Sequence, residues 1–399
     1  MYVKCEIKSI SHLLQAFQHP DSMRYSTQMG VVMKKKVLFN IFATCFIILF
    51  LLFLQRLFMP KYVNKIHEGN LIEEYYGEEK DHDVIFIGDC EVFSNISPIT
   101  LWEDYGITSY IRGSAQQLIW QSYYLLEETL KYEKPKVVVF NVLAMKYDQP
   151  QNEAYNRMTL DGMKFSPVKL RSIAASLTAE EDYITYLFPL LRYHSRWQEL
   201  SGEDFKYLFQ KKKISHNGYL MRVDVKPVTV VPSGKKLPDY AFGENSYKYL
   251  EKMTALCKEN NIPLVLIKSP SVYPYWYEEW DEQIDTFAKD NNLLYINFLN
   301  HIKEMGIDFT TDTCDGGLHM NLAGAEKFTG FFGKILSDSF KLVDKRKDQE
   351  LSKVWAEKAD YYYAMKQDQL RELKEYGYLK SYGALPGANN TENTKGASE

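Results

Sequence analysis

Cys90 stands in Gly88-Asp89-Cys90, directly after the apolar run Val84-Ile85-Phe86-Ile87. His319 stands in Asp315-Gly316-Gly317-Leu318-His319-Met320-Asn321, ahead of the last long helical pattern. A thiol and an imidazole are the pair that acyl chemistry needs. The base takes the thiol proton, the thiolate attacks a carbonyl, and nearby donors hold the developing oxyanion. A cysteine where a strand turns into the next segment presents its side chain and is ringed by backbone N–H groups. Gly113 closes a second apolar run, and its bare backbone N–H can approach a ligand. Asn141 closes a third run and offers a side-chain amide. Asp89 and Ser114 stand beside these positions as substrate contacts. Asp315 is the natural orienter of His319, with Asp312 as a second candidate. The plain alternative for Cys90 is a small buried apolar residue, and a bridge to Cys314, beside Asp315, would silence it. His319 has no such core reason for its place in a loop.

These residues need a scaffold that brings them to one edge. Five short apolar runs supply it: Val84 to Ile87, Ile107 to Ile111, Val137 to Phe140, Leu264 to Ile267 and Leu294 to Ile296. Helical patterns over 117–132, 246–260 and 323–337 separate or follow them. Continuous apolar strands alternating with helices specify an α/β fold, a parallel sheet with helices on both faces. Functional groups in such sheets gather beyond the carboxyl ends of the strands, which puts Asp89, Cys90, Gly113, Ser114 and Asn141 on one rim. The stretch 142–243 breaks the alternation. It reads as an insertion capping the rim, with one helix over 179–200 and a Pro-containing run over 223–238. Within it, Tyr155-Asn156-Arg157 and Arg192-Tyr193-His194-Ser195-Arg196-Trp197 mix cations with aromatics, which suits a carbohydrate or anionic polymer. Tyr155, Arg157, His194 and Arg196 are the candidate contacts, and His194 is a lesser rival for the base. A solvated helix face is the commoner origin of such a mixture.

The uncharged run Val37 to Leu54 follows Lys34-Lys35-Lys36 and has the length of a membrane-spanning helix. The lysines favour a cytoplasmic N-terminus and an external remainder. Gln55-Arg56-Leu57-Phe58-Met59-Pro60 has no small-residue cleavage site, so an uncleaved signal-anchor is expected. Met33 reads as a natural start, with the residues before it an upstream extension. The expected organisation is a cytoplasmic segment (1–36), the signal-anchor (37–58), a polar stalk (59–82), an extracytoplasmic domain (83–342), and a charged, exposed helix with a disordered tail (343–399). With 399 residues, a net charge of -4 and a pI of about 6.1, the chain carries no electrostatic footprint for nucleic acid. Its five cysteines form no CxxC pair and no zinc pattern, so no metal, no cofactor and no disulfide scaffold are expected.

Taken together, the blocks resemble the SGNH/GDSL hydrolase superfamily. Gly88-Asp89-Cys90 is similar to the Gly-Asp-Ser block of the nucleophile, Gly113 to the second-block glycine, Asn141 to the third-block asparagine, and Asp315 with His319 to the final Asp-x-x-His block. The resemblance spans about residues 83–145 and 262–338. It implies a three-layer, flavodoxin-like fold and an acyl esterase or O-acyltransferase, with Gly113 and Asn141 as oxyanion donors. Anchored relatives often work on cell-envelope carbohydrate beside a membrane-bound O-acyltransferase, which makes such a partner the expectation here. Two departures stand out. Cysteine replaces the family's serine, and three residues rather than two separate Asp315 from His319.

Overall fold

The computed structural model describes residues 20–60, 70–209, 213–231 and 233–380. They divide into two compact units, one formed by the N-terminal helix with residues 190–201 and the other by the rest of the chain.

In the larger unit the five runs correspond to strands, the second starting two residues later than read: β1 (Val84–Gly88), β2 (Ser109–Gly113), β3 (Val137–Asn141), β4 (Leu264–Lys268) and β5 (Leu294–Asn297). They form one parallel sheet in the order β2-β1-β3-β4-β5. β1 to β4 are buried along their whole length, as expected of strands covered on both faces. Alternation along each strand then divides the core. Ile85, Ile87, Tyr110, Val138, Phe140 and Leu266 face one layer of helices. Val84, Phe86, Ile111, Val139, Val265 and Ile267 face the other. Strand order reverses between β1 and β3, and the crevice beyond the carboxyl ends at such a switch point is where ligands bind in open α/β sheets. Cys90 and Asn141 flank that crevice.

The helices used below are α1 (Pro20–Phe58), α2 (Cys90–Asn95), α3 (Pro98–Tyr105), α4 (Ile119–Thr129), α5 (Glu153–Leu160), α6 (Pro167–Ser176), α7 (Glu244–Glu259), α8 (Glu278–Asp290), α9 (Leu322–Phe340) and α10 (Gln349–Tyr376). α4, α6, α7 and α8 supply one covering layer and α2, α3 and α9 the other.

Four parts of the expected organisation change. The end of the stalk belongs to the fold, because Leu71, Ile72 and Tyr75 are buried in the core, while residues 61–69 lie outside the described residues. The helix read over 179–200 is broken into Tyr183–Leu187, Leu190–Tyr193 and a 3-10 turn at His194–Gln198. Pro189, which has no N–H to donate, sits at the break. The insertion does not cap the rim as a whole: α5 and α6 widen the layer beside α4, burying Leu160, Val168 and Ile173. Its later part crosses the rim, where Lys226 N–H donates to Thr313 O and Val228 N–H to Phe309 O (2.9 and 3.0 Å). Finally, α10 is docked rather than exposed. Trp355, Tyr362 and Gln369, each seven residues apart on one face, are buried. Trp355 stacks on Trp102 of α3 at 5.1 Å, and Gln369 clamps the backbone at Met221 and Val223. The tail from residue 381 lies outside the described residues.

In the smaller unit, Met33–Phe58 of α1 is long and apolar enough to cross a membrane, and its side chains are almost entirely uncovered. The segment preceding residue 20 lies outside the described residues.

Candidate active site

β1 ends at Gly88, and Asp89 caps the short helix α2 by accepting from Glu91 N–H at 3.1 Å. This turn leaves Cys90, the first residue of α2, half-buried at the crevice. Gly113 is the register partner of Gly88 across the β1–β2 pair. It abuts the nucleophile turn so closely that an added Cβ would lie 2.8 Å from Val92 and 3.1 Å from the Gly88 carbonyl oxygen.

His319 arrives from a loop closed by the bridge between Thr313 and Met320. Gly316 and Gly317 both adopt the left-handed backbone (φ 86° and 103°), which side chains disfavour. They absorb the extra residue of the Asp-x-x-x-His spacing and turn Asp315 back onto the histidine. Asp315 accepts from His319 N–H (2.8 Å) and pairs with Nδ1 of the ring at 2.5 Å. Asp312 is occupied elsewhere, accepting from Asp308 N–H, Thr311 Oγ1 and Lys327 Nζ. Asp315 is therefore the residue that fixes the imidazole. With Nδ1 on the carboxylate, Nε2 is the ring atom left for chemistry. It is buried and has no hydrogen-bond partner.

The Cys90 thiol is the neighbour of that imidazole. Burial pushes the thiol up from its ordinary value, Asp89 and Glu91 add to the rise, and His319 opposes it. Burial alone would lower His319, but the charges of Cys90 and Asp315 outweigh it and hold the imidazole above its ordinary range. Asp315 moves the other way: burial raises it, and its bonds to His319 hold it below the carboxylate norm. Once the pair has lost one proton it can exist as thiol–imidazole or as thiolate–imidazolium, so its titration belongs to the pair. Tyr147, on the turn after β3, feels Asp89, Cys90 and Tyr273, and with burial as the main cause its hydroxyl is pushed up to about 12. Tyr273 itself is half exposed at the rim.

Asn141 is placed at the crevice, but its amide is committed. Nδ2 donates to Asp89 Oδ1 and Glu91 Oε2 (3.1 and 2.9 Å), and Oδ1 accepts from Ser269 N–H at 3.1 Å. Asp89, buried beside Glu91, is pushed up to about 6. The side chain of Ser114 turns inward to Gln117 and Thr159. Arg157 is buried between Glu153, Asp161 and Thr185, and it lies over the Tyr186 ring at 4.1 Å. These contacts make it part of the scaffold of α5. Tyr155, on the same helix, is half-buried. His194 and Arg196 belong to the smaller unit, where His194 is exposed and bonded to Leu191 O, and buried Arg196 bonds to Glu199 and Phe58 O. The candidate polymer contacts thus do not form a cluster within the larger unit.

Sequence reasoning passed over the residues that support the nucleophile. Lys268, the last residue of β4, is fully buried and holds Glu91 at 2.9 and 3.2 Å. Asn95 of α2 donates to Ser269 and Ser271 and accepts from Met320 N–H at 2.8 Å. A lysine ending a wholly apolar strand was the signal, since a buried cation requires a buried partner. Among the described residues no cluster of potential metal ligands occurs, and Cys45, Cys90, Cys257 and Cys314 are free thiols.

No protein-family model matches the chain, and no curated protein matches it. Among solved structures, it is similar to a protein described as lipolytic and of the G-D-S-L family from Desulfitobacterium hafniense, at 13% identity over 64% of this chain and 100% of that one, with a TM-score of 0.32. It is also similar to a GDSL-like lipase from Bacteroides thetaiotaomicron, at 12% identity over 67% of this chain and 95% of that one, with a TM-score of 0.30.

Proposed function

We propose that this chain is a membrane-anchored acyl-transfer enzyme of the SGNH type that uses Cys90 as its nucleophile and acts on acylated cell-envelope carbohydrate. The observation that carries this reading is the histidine. Asp315 holds one ring nitrogen of His319, and the other is buried and faces the Cys90 thiol. In the first half-reaction Cys90 Sγ–H gives its proton to His319 Nε2 and the sulfur bonds to the acyl carbon. The carbonyl oxygen becomes an oxyanion, which the backbone N–H groups of Cys90 and Gly113 stabilise. As it collapses, the ester C–O bond breaks and the leaving alcohol takes the proton from His319. In the second half-reaction water or an acceptor hydroxyl gives its proton to His319 and attacks the thioester, releasing Cys90. Whether water or a sugar hydroxyl attacks decides between esterase and O-acyltransferase. The anchor, read as a single-pass signal-anchor with a cytoplasmic N-terminus, would keep this chemistry on the outer face of the cell membrane. A membrane-bound O-acyltransferase is the partner we propose for the transferase direction.

The test is intact-protein mass spectrometry of the full chain in detergent after brief exposure to an activated acetyl ester. A single acetyl group on Cys90, absent in Cys90→Ala and strongly reduced in His319→Ala, is the expected result. Acetylation indifferent to His319 would overturn it. A second reading, a non-catalytic carbohydrate-binding or assembly protein of the cell envelope, draws on the committed Asn141 amide and on the raised thiol. It predicts no adduct on Cys90.

A further inference from the structure

Glu91 and Lys268 form an ion pair with neither side chain accessible to solvent. One member follows the nucleophile directly in sequence and the other ends β4. A buried ion pair of this kind is seldom a net source of stability, because desolvating two charges offsets their attraction. Its surroundings point to a different use. Lys268 Nζ also donates to the backbone oxygens of Ser269 and Ser271 (2.8 and 3.3 Å). Glu91 shares the Asn141 amide with Asp89, so the residues on both sides of Cys90 hang from the end of β3. Ser269 and Ser271 accept from Asn95, whose own oxygen receives Met320 N–H, the residue after His319. One continuous set of buried bonds therefore runs from the flanks of the nucleophile to the flank of the base.

We propose that Glu91 and Lys268 are positioning residues for Cys90. Lys268 cancels the Glu91 charge beside the nucleophile, and the pair fixes the nucleophile turn to the histidine loop through β3 and β4. This inference rests on the reading of Cys90 as nucleophile. The charged and titratable groups facing the thiol are His319 from the loop before α9, Asp89 and Glu91 from its own turn, and Tyr147 from the turn after β3; Lys146 faces Asp89, and Lys268 faces Glu91. Among these, Lys268 is the cation in direct contact with a carboxylate adjacent to the thiol.

The experiment is iodoacetamide labelling of the full chain in detergent across a pH series, read at the Cys90 peptide by mass spectrometry. Lys268→Met removes the cation that cancels Glu91 beside the thiol, and the pH of half-maximal rate is expected to rise by about one unit or more. Glu91→Gln leaves Lys268 uncancelled, and the same midpoint is expected to fall. The double variant Glu91→Gln/Lys268→Met removes both charges and is expected to return the midpoint close to wild type. A pair that merely supports the fold would move both single variants the same way, or move neither, and either result overturns the proposal. If Lys268→Met does not fold, the downward shift in Glu91→Gln and its reversal in the double variant still decide it, and absence of that reversal overturns it. Cys90 labelling that is indifferent to His319→Ala would instead defeat the acyl-transfer reading while leaving the three midpoints to be compared, so the two claims fail separately.

Discussion

The nucleophile crevice and the α5 helix look alike in sequence, since both mix titratable side chains with aromatics, yet the structure treats them in opposite ways. Around Arg157 the polar interactions close on the protein itself: Glu153, Asp161, Thr185 and the Tyr186 ring surround the guanidinium. At the crevice, one strongly polar atom is left over, His319 Nε2, beside a half-buried thiol. A saturated cluster is scaffold, because its groups have already exchanged water for protein partners. A cluster with a buried atom held open has given up stability, and such atoms concentrate where chemistry is done.

The contrast is broken most severely by removing the base. His319→Ala is expected to lower acyl turnover per folded molecule by about 10²–10⁴, its main effect, while stability loses only the His319–Asp315 pairing, as checked by single-turnover kinetics beside a chemical melt. Arg157→Ala should do the reverse. It breaks the buried Arg157–Asp161 ion pair together with the bonds to Glu153 and Thr185 and costs about 3–5 kcal/mol of stability, read from the denaturant midpoint, with Cys90 labelling per folded molecule unchanged. An Arg157→Ala protein of normal stability but raised KM would erase the distinction between the two regions.

The pH dependence sharpens it further. His319 is held above its ordinary range, so its contribution to stability is complete below the unfolded value near about 6.5 and is lost as pH rises through the higher folded value. Asp315 is held low, so its contribution is present above about 3.9 and is lost as pH falls through its lower folded value. Asp315→Asn removes the carboxylate that, together with Cys90, raises the imidazole. The acidic limb of Cys90 labelling should therefore move to lower pH, and the loss of stability on the alkaline side should shrink in a pH series of thermal melts. The smallest effect belongs to Tyr155→Ala on the outer part of α5, expected to stay within about 0.5 kcal/mol of wild type and to leave substrate affinity unchanged.

Much of this was legible before any coordinates. The runs announced all five strands, most plainly β1, β3 and β4, which are buried along their whole length as strands covered on both faces must be, and each rim residue followed from its place at the end of a run. Three things were hidden, for physical reasons. The saturation of Asn141, Ser114 and Arg157 depends on partners distant in sequence, with Asp89 52 residues from Asn141, Thr159 45 from Ser114 and Thr185 28 from Arg157. The Glu91–Lys268 pair joins residues 177 apart, and nothing local links them, although a lysine closing Leu264-Val265-Leu266-Ile267 demanded an acid. The docking of α10 could have been found. Trp355, Tyr362 and Gln369 recur every seven residues, a stripe that a solvated helix has no use for.

The most direct test of the central claim is the rate of Cys90 alkylation against pH in the full chain, compared between wild type and His319→Ala. Labelling of Cys90 that is slower in His319→Ala, with its midpoint moved to higher pH because the imidazole that opposes the raised thiol is gone, is the predicted result. Equal rates in the two proteins across the pH series would contradict the pairing of Cys90 with His319 and leave the crevice without a nucleophile.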